Sequence, residues 1–127
     1  TTKAFTVSMA DAAHTAECDY LGIVSGNQTV DKLQKVGFHT RKSEFVDAPI
    51  IEELPMTLEC RLVSYDSESC RLVGEIVNVS ADEHILSEDG QIDPDKLEPI
   101  TFDPIHNVYR KLGEITGKAF GEGKKIK

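Results

Sequence analysis

The feature that most constrains the fold is a pair of strand patterns separated by a few turn-forming residues. Residues 56–66 (MTLECRLVSYD) alternate apolar with polar side chains, which predicts a strand with one buried face. The apolar positions are Met56, Leu58, Cys60 and Leu62, and the polar ones are Thr57, Glu59 and Arg61. Residues 70–80 (CRLVGEIVNVS) place apolar side chains on both faces, which predicts a strand covered on both sides. The turn-rich link SYDSES predicts that the two form a long antiparallel hairpin.

Two further elements are predicted ahead of this hairpin. Residues 3–9 (KAFTVSM) are β-branched and aromatic in part and predict a strand. Residues 10–23 are rich in alanine, carry an early acid and repeat apolar side chains at helical spacing, which predicts a helix. Within the hairpin, Gly74 indicates a bulge or a close backbone approach.

The stretch SGNQTVDKLQKVGFHT predicts a short second helix. Thr29 is its expected N-cap and Gly37 its expected left-handed stop. Asp31 and Lys35 are spaced for a weak ion pair. Lys32 lies in the first turn, where the helix dipole disfavours a cation, so local rules leave it unexplained. It stands at the edge of the face shared by Val30, Leu33 and Val36.

The remaining segments carry weaker patterns. Residues 45–55 contain two prolines and predict an irregular connection. Residues 87–104 are acidic and should follow the surface, with a short helical turn starting at Asp93. Residues 108–112 predict a strand or a short helix, and residues 121–127 a frayed basic tail.

Composition excludes several classes of protein. The chain has 127 residues, one domain's length, and its net charge of −8 argues against a general nucleic-acid binder. No apolar run approaches the ~20 residues of a membrane helix, and no secretory signal is visible. Three cysteines without a C-x-x-C pair predict reduced, buried thiols and a cytoplasmic location. The chain opens on a strand without an initiator Met, so we expect that preceding sequence is missing.

Motifs of catalysis are absent from the sequence. There is no dinucleotide-binding glycine pattern, P-loop, zinc-protease motif or serine nucleophile elbow. The four histidines are scattered, and none forms a metal-ligand pair at helical spacing. Each is more simply an ordinary surface or capping residue than a catalytic one. Motifs alone therefore indicate an α+β or β-barrel domain without a metal site.

The order of the segments is more informative. The strand AFTVSM is followed by the alanine-rich helix, G-x-x-SG-x-x-x-x-DK-L, APII-E, LECRL, a turn, LVGEIVNV, DG…D…L-x-P and Y-x-x-LG. This ordered set, from Lys3 to Phe120, resembles the flavin reductase-like family of FMN-binding split barrels, which includes the flavoredoxins. Family members are longer at the N-terminus, where a Ser/Thr-rich loop grips the FMN phosphate. Only Thr1 and Thr2 could remain of that part, so residues 1–127 would be the C-terminal two-thirds of one domain.

The resemblance implies a mainly β fold, a six-stranded antiparallel barrel with peripheral helices, and a homodimer with FMN near the interface. It implies an NAD(P)H:flavin oxidoreductase, whose chemistry is the cofactor's and needs no acid/base pair. A flavoredoxin-type electron carrier, docking through its acidic surface to a redox partner protein, is a second hypothesis. A dimeric barrel that binds a small ligand without redox chemistry is a third.

The resemblance also implies cofactor-binding residues. Ser8 and Met9 would end a strand against the flavin, although Ser8 could equally cap the following helix. Ser25, Gly26 and Lys32 match the loop that approaches the flavin. There Lys32 would pair with a phosphate or favour negative charge on the reduced ring, the alternative being a solvated lysine.

Aromatic residues near the C-terminus are candidates of the same kind. Phe102, His106 and Tyr109 fall in the segment that reaches back toward the flavin, where rings could stack on isoalloxazine or simply pack in the core or an interface. One position departs from the family pattern. Relatives often carry Asp-His before LVGEI, whereas this chain has Ser69 and Cys70, so any contact made by that histidine is in doubt here.

Overall fold

The computed structural model describes residues 2–126 as seven strands, three α-helices and three short 3₁₀ turns. Thr1 and Lys127, which belong to the expected phosphate-loop remnant and the expected basic tail, lie outside the described residues. The strands are β1 (Ala4–Ser8), β2 (Thr40–Lys42), β3 (Pro49–Ile51), β4 (Met56–Asp66), β5 (Arg71–Ala81), β6 (Ile100–Asp103) and β7 (Val108–Lys111). The helices are α1 (Thr15–Ile23), α2 (Lys32–Lys35) and α3 (Pro94–Leu97), and the 3₁₀ turns are Ala12–His14, Glu83–Ile85 and Glu122–Lys125.

The strands form three antiparallel sheets. The largest has the order β1-β4-β5, while β2 pairs with β3 and β6 pairs with β7. The predicted hairpin is confirmed as β4–β5, with two register shifts along it. One register shift falls directly beside Gly74, which confirms the bulge alternative predicted for this glycine, and a side chain there would collide with the Phe5 ring. The fold is mainly antiparallel β with peripheral helices, as expected.

Both faces of β4 carry buried side chains: Cys60 is 3% exposed on the apolar face, and two positions of the polar face are buried as well. Thr57 and Glu59 are each only 1% exposed, and the Thr6 hydroxyl on the same face donates 2.6 Å to the Pro49 carbonyl. The β2–β3 pair, which we call the ribbon, lies over this face. On β5, Leu72 and Ile76 are 51% and 55% exposed. The prediction of a half-buried β4 is confirmed in part, because Cys60 is buried and Arg61 is exposed, whereas Thr57 and Glu59 are buried on the polar face. The prediction that β5 is covered on both sides is wrong for residues 2–126.

A hydrogen-bonded carboxylate explains how the polar face of β4 can be buried. Glu59 accepts hydrogen bonds from the Ser43 hydroxyl at 2.6 Å, the Ser80 hydroxyl at 2.6 Å and the Asn78 amide at 2.5 Å. Burial opposes ionisation of Glu59, but these bonds and the nearby Arg41 charge lower its pKa overall. Because Ser43 follows β2, the ionised Glu59 fastens the ribbon to the sheet. A carboxylate can be buried when its oxygens are satisfied in this way.

The second helix is shorter than predicted. It begins at Lys32, with Asp31 at the N-cap position and no side-chain capping bond, so the Thr29 cap is wrong. Val30 is 91% exposed and does not belong to a buried face. The Asp31–Lys35 ion pair is not formed among the described residues. Gly37 ends the segment with a φ of 80°, the predicted left-handed stop.

The later segments follow the sequence patterns more closely. Residues 45–55 are not wholly irregular, because they contain β3. The Asp93 carboxylate caps α3 by accepting from the Asp95 N–H, as its sequence predicts. Residues 108–111 form a strand, which decides between the two predicted alternatives. Within residues 2–126, no helix has the length and apolar character needed to cross a membrane.

Candidate functional site

Ser8 and Met9, at the end of β1, are held by β4. The Ser8 hydroxyl lies 3.2 Å from the Thr57 hydroxyl, and the Met9 N–H donates a hydrogen bond of 2.9 Å to the Met56 carbonyl. The helical segment that follows has Asp11 at its N-cap position, without a side-chain capping bond. The alternative role of Ser8 as a helix cap is therefore wrong.

Lys32 has a structural role that neither sequence interpretation contained. Its ammonium donates to the main-chain carbonyls of Leu21 at 2.9 Å and Val24 at 3.0 Å. These carbonyls lie at the C-terminal end of α1, where helix groups lack intrahelical partners and a cation is favourable. Lys32 therefore caps α1. Two of its three N–H groups are used in this way, so it is not a merely solvated lysine.

Ser25 and Gly26 lie in the loop that Lys32 closes. The Ser25 hydroxyl accepts from the Asn27 N–H at 3.2 Å, which shapes a tight turn. Gly26 lies beside the lysine, since a Cβ added there would stand 3.9 Å from the Lys32 Cε atom. The predicted trio of Ser25, Gly26 and Lys32 is thus one compact unit at the end of α1.

Phe102 and Tyr109 face each other across the β6–β7 hairpin, with ring centroids 5.8 Å apart. The Tyr109 hydroxyl donates a hydrogen bond of 2.5 Å to the carboxylate of Asp19, which belongs to α1. This hydrogen bond to a carboxylate raises the pKa of Tyr109. Tyr109 thereby ties the hairpin to α1, 90 residues earlier in the chain.

His106 lies at the turn of the same hairpin and has local partners. Its Nδ1 atom is 2.9 Å from an Asp103 carboxylate oxygen, which also accepts from Arg110 Nε at 2.9 Å. The bonds from Arg110 and His106 lower the pKa of Asp103. His106 is therefore placed in a turn-closing ion cluster, apart from the contacts to α1.

The structure brings most of the predicted residues around one helix. We use the name α1 junction for α1, the loop 24–31 with Lys32, and the β6–β7 hairpin. The end of β1 is connected to this junction by two main-chain hydrogen bonds. The Ile100 N–H donates to the Ala10 carbonyl at 3.1 Å, and the Ala12 N–H donates to the Glu98 carbonyl at 2.9 Å. No described residue of α1 is fully buried, so polar contacts rather than a buried apolar face position this helix.

Sequence reasoning missed two parts of the junction. Asp19 carried no motif, since one acid on an alanine-rich helix has many explanations. The carbonyls of Leu21 and Val24 have no side-chain signature at all, and only the observed end of α1 makes them acceptors for Lys32.

A sizeable cleft lies elsewhere. It has a volume of about 630 Å³, runs between β1 and the ribbon, and contains none of the predicted site residues. Its charged wall includes Lys42 and Asp47, whose charged groups are 3.5 Å apart. Among residues 2–126 no cluster of three or more His, Cys, Asp or Glu side chains could hold a metal ion. Cys18, Cys60 and Cys70 are free, and Cys70 is exposed rather than buried.

Comparisons with known proteins agree with this architecture. A family model described as "Flavin reductase like domain" matches residues 1–104. An uncharacterized protein of Aquifex aeolicus (strain VF5) is 31% identical over 97 residues, 75% of this chain and 45% of that protein.

Two solved flavoredoxins are similar in structure. The flavoredoxin of Desulfovibrio vulgaris (Miyazaki F) matches with a TM-score of 0.88 and 37% identity, covering 96% of this chain and 66% of that one. The flavoredoxin from Methanosarcina acetivorans matches with a TM-score of 0.84 and 28% identity, and the match covers 96% of this chain and 64% of that one. The chain thus spans slightly less than two thirds of these flavoredoxins and under half of the curated relative.

Proposed function

The chain belongs to the flavin reductase-like family, with a split-barrel type of fold, and on that premise we propose that it binds FMN and acts as an NAD(P)H:flavin oxidoreductase. The observation that carries the proposal is the α1 junction. A lysine ammonium and a pair of aromatic rings, all expected at the flavin from sequence, are anchored to the same helix.

The residues present fit an anionic, planar cofactor. Lys32 retains one N–H beyond its two carbonyl bonds, so it can donate to a phosphate or a reduced ring without leaving α1. Phe102 and Tyr109 offer ring surface that is still exposed. Ser25 and Gly26 would bring main chain close to the flavin, and Ser8 with Met9 would border it from β1. His106 would contact its rim.

Bound FMN would supply hydride and electron chemistry, and the chain would supply position and charge. The Lys32 ammonium would stabilise negative charge, while the Asp19–Tyr109 bond would fix the orientation of one aromatic ring. We also propose a homodimer in a reducing compartment, where the three free thiols would persist.

A flavoredoxin-type electron carrier is the second candidate function. The 37% identity to a flavoredoxin favours it, and the net charge of −8 suits docking to a basic redox partner protein. The two candidates share FMN and differ in whether NAD(P)H reduces it directly. The third candidate, a dimeric barrel that binds a ligand without redox chemistry, predicts no flavin binding.

The decisive experiment is an FMN titration of the purified chain followed by visible absorbance, then anaerobic addition of NADH and NADPH separately. Saturable binding and bleaching with either nucleotide would support the reductase. Binding without bleaching would favour the carrier. No saturable binding at excess FMN would overturn the flavin proposal for this chain.

A further inference from the structure

Two hydroxyl side chains face each other across the end of β1. Ser8 on β1 pairs with Thr57 on β4, and their hydroxyl oxygens lie 3.2 Å apart. Thr57 is only 1% exposed, whereas Ser8 is half-buried. Within residues 2–126, neither hydroxyl forms any other hydrogen bond. In that part of the chain, each of the two therefore depends on the other for its partner.

The burial of Thr57 decides which of the two hydroxyls donates. A hydroxyl carries a single hydrogen, and burying that hydrogen without an acceptor costs free energy. Among the described residues, the Ser8 oxygen is the one acceptor within hydrogen-bond distance of the Thr57 hydroxyl. The half-buried Ser8 can give its own hydrogen to a molecule outside the sheet. The favourable arrangement therefore has Thr57 as the donor and Ser8 as the acceptor.

This arrangement leaves the Ser8 hydrogen free and makes Ser8 a stronger donor. A hydroxyl that accepts one hydrogen bond is polarised by it, and bonds in a chain strengthen one another. The main chain next to Ser8 is also fixed, because the Met9 N–H bonds to the Met56 carbonyl. The end of β1 thus presents a fixed hydroxyl donor to an acceptor that lies against it.

The other hydroxyl on the same face of β1 is arranged differently. Thr6 donates to the Pro49 carbonyl at 2.6 Å, so its hydrogen is already used within the chain. Its partner across the strands is Glu59, whose oxygens accept from three other side chains. Of the two hydroxyls on this face of β1, Ser8 alone keeps a hydrogen for a ligand.

We propose that Thr57 is a positioning residue of the cofactor site, because it donates to Ser8 and so directs the Ser8 hydroxyl toward an acceptor atom on the flavin ring. The edge of an isoalloxazine ring carries carbonyl oxygens and ring nitrogens that accept hydrogen bonds. A fixed donor there stabilises negative charge on the reduced ring. The inference rests on the proposed FMN binding and adds to the site a buried residue that the sequence did not place in it.

The direction of the hydrogen bond can be measured without flavin. In an equal mixture of H₂O and D₂O, a slowly exchanging hydroxyl gives separate ¹³Cβ signals for its protonated and deuterated forms. A rapidly exchanging hydroxyl gives one averaged signal. We expect two signals for Thr57 and one for Ser8 in the NMR spectrum of the full chain. A single signal for Thr57, or two for Ser8, would overturn the proposal.

FMN titrations of single and double variants test the consequence for binding. Ser8→Ala should raise the Kd for FMN about tenfold, and Thr57→Val, which keeps the side-chain shape without the hydroxyl, should raise it about threefold. In the Ser8→Ala background, Thr57→Val should add nothing, because Thr57 acts through Ser8. Thr57→Ser retains the hydroxyl and should bind FMN as the wild type does.

Thr6→Val is the matched control, since it removes a hydroxyl from the same face of β1 that donates to Pro49 instead. It should leave the Kd and the absorption bands of bound flavin near their wild-type values, whereas Ser8→Ala and Thr57→Val should shift the bands in one direction. Unchanged binding by Thr57→Val, or a further loss in the double variant, would overturn this inference alone. A wild-type chain that does not bind FMN would overturn the proposed function together with it.

Discussion

The ribbon and α1 are held to the rest of the chain in opposite ways. The ribbon is fixed by the buried Glu59, whose two oxygens accept three short hydrogen bonds. Helix α1 buries none of its residues fully and depends on Lys32, from the segment that follows it, and on Tyr109, 90 residues beyond its partner Asp19.

This difference makes the ribbon part of the rigid scaffold and α1 part of a less stable region. Buried, fully satisfied polar networks are rigid and costly to break, whereas elements with few buried contacts belong to the low-stability end of a protein. The predicted flavin residues lie at the second kind of element. We therefore expect changes in the ribbon to appear mainly in folding and changes at α1 to appear in both folding and cofactor affinity.

The largest effect is expected from Glu59→Ala. It leaves the donors of Ser43, Asn78 and Ser80 buried without their acceptor, which should lower the free energy of unfolding by about 2–4 kcal/mol in urea titrations. Glu75→Ala is the matched control, since Glu75 forms an exposed pair with Arg61 and should change stability by less than about 0.5 kcal/mol. Similar losses in both variants would contradict the assigned role of Glu59.

Acid should remove the stabilisation that the ionised Glu59 gives to the fold. The pKa of Glu59 is lowered from 4.5 by folding, so the carboxylate stabilises the fold above about pH 4.5, and that stability disappears as pH falls through the folded-state pKa. The unfolding free energy of the wild type should thus fall more steeply between pH 5 and pH 3 than that of Glu59→Gln. Parallel pH profiles would show that Glu59 does not carry this dependence.

A smaller effect is expected from Lys32→Ala. Loss of the two carbonyl bonds should lower the unfolding free energy by about 1–2 kcal/mol and weaken FMN binding by roughly tenfold. Lys35→Ala should do neither, because Lys35 is exposed and forms no ion pair among the described residues. Isothermal titration with FMN and urea unfolding measure the two effects separately. A stability loss without an affinity loss would make Lys32 a helix cap only.

A substitution that strengthens α1 should raise the free energy of unfolding. A Cβ at Gly22 would meet nothing within 4 Å, so Gly22→Ala should raise the free energy of unfolding by about 0.5–1 kcal/mol through helix propensity. Gly37→Ala, at a φ of 80°, should instead lower it by about 1 kcal/mol. Thermal denaturation of the two variants compares them, and a destabilised Gly22→Ala would mean that α1 is constrained in a way its contacts do not show.

The smallest effect is expected at the outer end of the ribbon. His39 Nδ1 lies 2.6 Å from Glu53, and this bond raises the pKa of His39 from 6.5. The pair therefore stabilises the fold below about pH 6.5, and its contribution is lost as pH rises through the folded-state pKa. His39→Gln should lower the midpoint of thermal unfolding at pH 5.5 and not at pH 9, and the effect should be slight because the His39 ring is exposed. A loss that is larger at pH 9 would reverse this assignment.

Part of the site could be foreseen and part could not. The order of segments resembles the family, and that resemblance, rather than a local pattern, implied the candidate residues around α1. The contact between Tyr109 and Asp19 could not be predicted, since 90 residues separate them and Asp19 stands in no pattern. Lys32 was singled out because it violated a local rule, although its carbonyl partners depend on where α1 ends.

The sequence by itself determined the β4–β5 hairpin, the turn at Asp93 and the left-handed Gly37, because alternation, capping and backbone preference act between near neighbours. Only the tertiary structure decided that polar positions of β4 are buried as well as Cys60. The alternation of β4 offered two faces, and burial of the polar one required Ser43 from the ribbon and both Asn78 and Ser80 from β5 to satisfy Glu59. A carboxylate can enter the interior only when all of these donors converge on it, and convergence of separate segments is a property of the folded chain.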